Sequence, residues 1–166
     1  MVQETYVEPV RTIILNKKRL EQELEIKITN KGKLVFVDGK AENEYTALQV
    51  MESIKLGFSI EKALLLKSED FILQTIHIKD ITKRHDLERV RARIIGTKGK
   101  TLGTLNNLTN CEISLHNNEV GVIGNAEDIE DAKEGLRSII QGSKQGNVYS
   151  RLERERKKKK ELPVDF

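Results

Sequence analysis

The sequence predicts an α+β chain made of two tandem copies of one small unit, each a three-stranded sheet with helices on one face, with a basic helix at the C-terminal end. Three observations predict it. Residues 94–101 read Ile-Ile-Gly-Thr-Lys-Gly-Lys-Thr, a Gly-x-x-Gly turn with a helix-like apolar pattern on either side. Around that turn the patterns run strand, helix, helix, strand, strand, helix over residues 70–142. The apolar register also repeats. Val35, Val37 and Gly39 return 85 residues later as Val120, Val122 and Gly124; Ala47, Val50, Met51 and Ile54 return as Ala132, Gly135, Leu136 and Ile139. The expected divisions are 1–66 for a first, degenerate copy without the Gly-x-x-Gly, 67–146 for the complete copy, and 147–166 for the basic helix.

Each element has its own signal. Met1–Val10 is polar and acidic, unlike a secretory leader. Arg11–Leu15 reads as a strand and Asn16–Leu24 as one short helix, so the first copy is expected to be short. Glu25-Ile26-Lys27-Ile28 reads as the next strand and resembles Glu112-Ile113-Ser114-Leu115. The helix through Ala47 and Ile54 ends at Gly57. Ser59 is then placed to cap a short helix, with Glu61 in its first turn. In the second copy Phe71–Ile81 is strand-like. Leu87, Val90, Ile94 and Ile95 share one helical face, and Leu102, Leu105 and Leu108 mark the next helix. Cys111–His116 alternates as a strand, Asn117-Asn118 makes a tight turn, and Glu119–Ile123 returns. Ala126–Gln141 is helical and closes at Gly142. Val148–Glu161 predicts an exposed helix whose mixed charges give way to four lysines, Lys157–Lys160.

The turn between the two helices is suited to holding a nucleic-acid backbone. Glycine has no Cβ, so the chain takes unusual dihedrals and a phosphate approaches the main chain closely. The next helix begins with unpaired N–H groups and a positive dipole end. Lys98 and Lys100 add mobile charge. A nucleotide-binding phosphate loop is the competing reading, because Gly99-Lys100-Thr101 ends like one. That pattern needs a glycine five residues before Gly99, where Ile94 stands, and a strand where a helix is predicted. The loop and the order of elements together resemble a type I KH domain, whose GXXG loop clamps about four nucleotides of single-stranded backbone.

Charge points the same way. The chain carries a formal net charge of only +3. Within 81–110, however, Lys83, Arg84, Arg89, Arg91, Arg93, Lys98 and Lys100 face only Asp86 and Glu88. Local basic patches on a nearly neutral chain suit a polyanion bound at a defined place. Lys17, Lys18 and Arg19 in the first copy either touch phosphate or form a solvated basic turn. With 3 Tyr, 4 Phe and no Trp, a broad base-stacking platform is not expected. The single cysteine, Cys111, allows no intrachain disulfide and reads as a small buried side chain. His77, His85 and His116 lack the spacing of metal ligands, so no cofactor or metal is expected. No apolar run approaches membrane-spanning length, and the expected setting is cytoplasmic.

Three separated motifs carry a more specific resemblance. They are Gly-Phe-Ser-x-Glu-Lys-Ala-Leu at 57–64, Asp-Leu-Glu-Arg-x-Arg-x-Arg-Ile-Ile-Gly-x-x-Gly-Lys-Thr at 86–101, and Gly-Asn-Val-Tyr-x-x-Leu-Glu at 146–153. The chain resembles the archaeal KH-domain assembly factors of the small ribosomal subunit, relatives of the eukaryotic Pno/Dim-type proteins. The resemblance implies two tandem type I KH-like domains; separately, no paired carboxylates and no Ser/His/Asp constellation support catalysis, so a non-enzymatic protein is expected. The resemblance also implies binding to small-subunit (16S) rRNA near its 3′ end, cooperation with the Nob-type endonuclease, and association with the alpha subunit of initiation factor two. By position the clamp is Gly96, Thr97, Lys98 and Gly99, flanked by Arg91, Arg93 and Lys100. Ile95 is the expected apolar floor of the cleft. Ser114 and His116 lie on the strand expected to line it and are placed to meet a base edge; His116 reads equally as an exposed strand histidine. A KH-type adaptor in translation initiation is the alternative, and a nucleotide-hydrolysing enzyme is the reading from another class.

Overall fold

In the computed structural model, residues 2–6 and 10–161 are described. Those through Leu73 make one compact unit and those from Gln74 a second. The first contains β1 (Val2–Tyr6), α1 (Val10–Leu15), α2 (Lys17–Leu24), β2 (Ile26–Lys31), β3 (Leu34–Gly39), α3 (Ala41–Lys55) and α4 (Ile60–Ala63). Its antiparallel sheet has the order β1-β3-β2. The second is laid on β4 (Ile72–His77), whose first two residues group with the first unit. It continues with α5 (Ile78–Ile81), α6 (Leu87–Ile95), α7 (Lys100–Thr109), β5 (Glu112–His116), β6 (Glu119–Gly124), α8 (Ala126–Ile140) and α9 (Gln145–Glu161). The order of its sheet is β4-β6-β5. Among the described residues no helix is long and apolar enough to cross a membrane.

From β2 onward the repeat is reproduced position by position. β3 plus 85 residues is β6, and α3 plus 85 is α8. Val35 pairs with Asn30 as Val120 pairs with Leu115, and Val37 with Ile28 as Val122 with Ile113. Left-handed residues recur at the same offset: Glu25 and Asn110, Gly32 and Asn117, Gly57 and Gly142. A Cβ on Gly39 would press on Ile26, and one on Gly124 would lie 2.7 Å from Cys111 Sγ. Ile26 thus corresponds to Cys111 and Ile28 to Ile113. The four-residue match of Glu25–Ile28 to Glu112–Leu115 is two residues out of register.

Upstream of β2 the structure corrects the expectations. Arg11–Leu15 is helical, not a strand, and Asn16–Leu24 is not the only helix before β2. A run of three apolar residues, Ile13–Leu15, does not separate period 2 from period 3.6, and only Ile13 of α1 is buried. The strand is β1, in the polar, acidic stretch to which no element is assigned from the sequence. Its inward, half-buried side chains are Gln3 and Thr5, so it carries no apolar alternation to read. The first unit therefore has the full strand-helix-helix-strand-strand-helix order and is not shortened in elements. What differs is the corner. One residue, Asn16, joins α1 to α2, where Gly96 to Gly99 join α6 to α7. The strand expected over Phe71–Ile81 stops at His77, because Ile78 turns inward, fully buried, and donates its N–H to Asn118 O at 2.9 Å.

The core of the second unit lies between its sheet and helices. Ile76, Val90, Ile94, Leu105, Ile113, Val120, Val122, Leu136 and Ile139 are buried together. Fully burying a side chain of this size contributes about 1.5–3 kcal/mol. The segment 147–166, read as a basic helix, opens within α9, and its Val148 and Leu152 belong to this core. Ser59 caps α4 as expected, its Oγ accepting from Lys62 N at 3.3 Å. Asn125 caps α8 through Asp128 N at 2.9 Å.

Cys111 is buried, and desolvation pushes its thiol up to about 12 from 9.0. The folded value is raised, so this group's contribution to stability is complete below pH 9 and is lost as pH climbs toward 12. Iodoacetamide at pH 8 is expected to label Cys111 only at the rate of unfolding. Rapid labelling of the native protein would contradict this burial.

Candidate nucleic-acid interface

The corner between α6 and α7 is shaped by glycine at two positions for two different reasons. Gly96 stands at φ 75° and ψ 173° and closes α6 by donating its N–H to Ala92 O at 2.8 Å. A Cβ there would lie 2.2 Å from Thr101 Oγ1 and 2.7 Å from Thr101 N, so only glycine lets the two helices meet this closely. Gly99 has open space around it; its demand is conformational, at φ 74° and ψ 14°. Between them Lys98 also takes a left-handed conformation, at φ 54°. Thr97 and Lys98 are exposed on a single 3-10 turn that leads into α7. The loop follows a helix, not a strand, so Gly99-Lys100-Thr101 lacks the setting of a nucleotide phosphate loop.

Hydrogen bonds hold this corner from behind. Thr101 is buried, and Gln145 Nε2 donates at 3.2 Å to both Thr101 Oγ1 and Arg93 O. Arg93 Nη1 and Nη2 donate to Ile139 O and Ser143 O, each at 2.6 Å. A guanidinium on Ile139 O in the last turn of α8, and on Ser143 O just beyond it, satisfies a carbonyl the helix leaves open and suits its dipole. Arg93 is thus bound into the fold. Arg91 Nη1 donates to Asn118 Oδ1 in the β5–β6 turn.

The expected site residues do not all converge. Ile95, Gly96, Thr97, Lys98, Gly99 and Lys100 are contiguous at the corner, and Ile95 is 39% exposed there. Ser114 and His116 alternate with Ile113, which is buried against the helices, so they stand on the other face of the sheet. His116 lines a shallow hollow with His77, Lys79 and Glu119, apart from the loop. A groove of about 550 Å³ lies on the other side of α6, bounded by Arg89, Ala92, Arg93, Lys100, Gln145 and Tyr149 and sharing Gly96 and Thr97 with the loop. Arg89 enters the sequence reading only within the basic patch and a motif, and Tyr149 only within a motif; neither they nor Gln145 are expected there as site residues. The spacing of Arg89, Arg93 and Gly96 along one face of α6 was the available signal.

Charge is left where the loop needs it. The hydrogen bond and charge of Arg84 hold the exposed Asp86 carboxyl below its usual range, with a smaller contribution from Arg89 at 4.0 Å. In α9, Lys159 binds Asp128 at 3.0 Å and Asp131. Burial pulls its ammonium down, but those two carboxylates outweigh it and hold it above the usual lysine range. Arg154, Arg156, Lys157, Lys158 and Lys160 remain exposed on the same helix. In the first unit Arg19 pairs with Glu61 at 2.7 Å, while Lys17 and Lys18 are exposed. Among the described residues no three His, Cys, Asp or Glu side chains gather as metal ligands would.

The fold and this loop define a type I KH module. The family model described as "Eukaryotic type KH-domain (KH-domain type I)" matches residues 72–157. A KH domain-containing protein of Methanocaldococcus jannaschii is 30% identical over 86% of this chain and 66% of its own length. The pre-rRNA-processing protein pno1 of Schizosaccharomyces pombe is 33% identical over 78% of this chain and 57% of its own. The chain thus spans about three fifths of the length of these curated relatives. Dim2p from Pyrococcus horikoshii superimposes with a TM-score of 0.83 at 30% identity, covering 93% of this chain and 99% of that one. A chain of the a/eIF2alpha-aDim2p-rRNA complex from the same organism does so with 0.83 at 32%, covering 95% and 96%. This chain belongs to the KH-domain family of Pno/Dim-type rRNA-processing proteins.

The two glycines make separable predictions. Gly96→Ala adds a steric overlap of about 1–3 kcal/mol to a penalty of about 1–3 kcal/mol for a backbone conformation essentially restricted to glycine. Gly99→Ala carries only a left-handed penalty, about 1–2 kcal/mol. Lys98→Gly relieves a similar strain and offsets it with added chain entropy, leaving stability within about 1 kcal/mol of wild type. Urea unfolding distinguishes the three; equal losses for Gly96→Ala and Gly99→Ala would contradict the close approach to Thr101.

Proposed function

We propose that this protein is a non-enzymatic RNA-binding protein that holds small-subunit rRNA during ribosome assembly, near the 3′ end that is matured there. The observation that carries this reading is the loop: a strained, exposed backbone turn at a helix N-terminus, with Lys98 and Lys100 beside it and no carboxylate on it. A phosphate fits such a turn because N–H groups and mobile cations converge while no side chain blocks the main chain. Ile95, exposed beside the turn, offers an apolar contact for bases on the hairpin side. The first unit keeps the KH-type order without a loop at its corner, and acts as a degenerate domain that positions the second and meets protein partners. A Nob-type endonuclease and the alpha subunit of initiation factor two are the partners proposed. Likeness to a chain of the a/eIF2alpha-aDim2p-rRNA complex supports the second and favours an adaptor role in translation initiation as the alternative.

The test is Thr97→Asp together with Lys98→Asp. The pair removes one cation and sets two anions where the phosphate must lie, so RNA binding is expected to fall at least tenfold, about 1.4 kcal/mol or more. The melting temperature is expected to stay nearly unchanged, because both side chains are exposed and surface changes cost within about 0.5 kcal/mol. Lys17→Asp with Lys18→Asp is the matched control at the corner of the first unit. Equal losses in the two pairs, or none at the loop, would refute the clamp.

A further inference from the structure

We infer that the groove between α6, α7 and α9 is a second subsite, which takes the base of the nucleotide next to the clamped backbone and stacks it on the ring of Tyr149. The inference rests on the RNA-binding reading and deepens it.

Helix α6 has two exposed edges. Glu88, Arg91 and Ile95 lie on the edge toward the β5–β6 turn, where Arg91 reaches Asn118. Arg89, Ala92, Arg93 and Gly96 lie on the edge toward α9. The loop is therefore flanked on both sides, and a strand that crosses it has a path along the second edge. There it meets the groove of about 550 Å³, a size typical of small-molecule sites. The groove shares Gly96 and Thr97 with the clamp, so occupancy of one leads directly into the other.

The lining matches a nucleotide and not an acidic or purely apolar ligand. Arg89 and Lys100 are exposed cations, and no carboxylate lines the groove. Ala92 leaves room on the α6 wall. Tyr149 is half-buried on the opposite wall, fixed by Val148 and Leu152, both buried in the core on the same helix. Among the described residues of the second unit it is the only Phe, Tyr or Trp side chain, and the unit's three histidines do not line the groove. Gln145 commits its Nε2 to Arg93 O and Thr101 Oγ1, which leaves its amide oxygen as an acceptor at the groove. A planar ring, an acceptor and two cations are the elements of base stacking with backbone neutralisation. The motif Gly146-Asn147-Val148-Tyr149 then has two jobs in adjacent residues: Val148 anchors α9 and Tyr149 faces the RNA.

The experiment uses the full chain and an unstructured RNA of about twelve nucleotides, in which each base in turn is removed to leave an abasic site. Tyr149→Leu is expected to weaken binding about fivefold or more, and Tyr149→Phe to stay within about twofold of wild type. Against Tyr149→Leu, one abasic position beside the clamped stretch should lose its penalty while all others keep theirs. In the wild-type protein, 2-aminopurine at that position should be quenched on binding, a readout that needs no variant. The subsite is overturned if Tyr149→Leu binds as wild type, if its loss spreads evenly over all positions, if Tyr149→Phe falls as far, or if no position is quenched. Failure of the clamp itself is read separately, from undiminished binding by the Thr97→Asp, Lys98→Asp pair.

Discussion

The contact of Gly96 with Thr101 is the point on which the shape of the α6–α7 corner depends. Helix α6 ends and α7 begins at a separation that leaves no room for a Cβ. That closeness forces the intervening residues outward, through left-handed conformations at Lys98 and Gly99, and so exposes backbone that an ordinary helical corner would hide. Strain of this kind persists only where the surroundings fix it. Here Thr101 is held by Gln145, Gln145 by the carbonyl of Arg93, and Arg93 by the end of α8. Helix α9 is consequently part of the loop's support, and its two core residues and the Lys159 pairs keep that support in place.

The internal repeat shows how little separates a unit with the Gly-x-x-Gly corner from one without it. Sheet register, left-handed positions and the long helix agree at a constant offset from β2 onward. The difference is concentrated at one corner, where Asn16 replaces four residues and bonds back to Thr12 O at 2.8 Å. With one residue the chain closes on itself; with four, two of them glycine, it presents its main chain to solvent. Electrostatics follow the same division, since Arg19 is taken up by Glu61 while Lys98 and Lys100 stand exposed.

Much of this was legible in the sequence because burial and glycine leave strong marks. The valines of β3 and β6, the α3 and α8 stripes and the loop glycines all read correctly. The errors have physical causes. Strand β1 turns Gln3 and Thr5 inward, so its alternation is silent. Helix α1 is too short for its period to show, and with β1 hidden, the first copy looked truncated. Arg93 has the composition of an RNA contact, but its partners are carbonyls 46 and 50 residues away, which no local pattern encodes. Ser114 and His116 were placed by strand identity without the parity of the pleat, and one residue of parity decides the face. Tyr149 was quoted only as part of a motif, because its place beside α6 exists only after α9 folds back on the module.

Backbone amide shifts followed by NMR during titration with single-stranded RNA test the central claim most directly. The account predicts that the largest changes fall on Gly96 to Thr101, extend along the α9-facing edge of α6 to Tyr149, and leave the corner around Asn16 unmoved. Shifts centred on Asn16 to Lys18, or on His116 and the outer face of the sheet, with the loop silent, would contradict it.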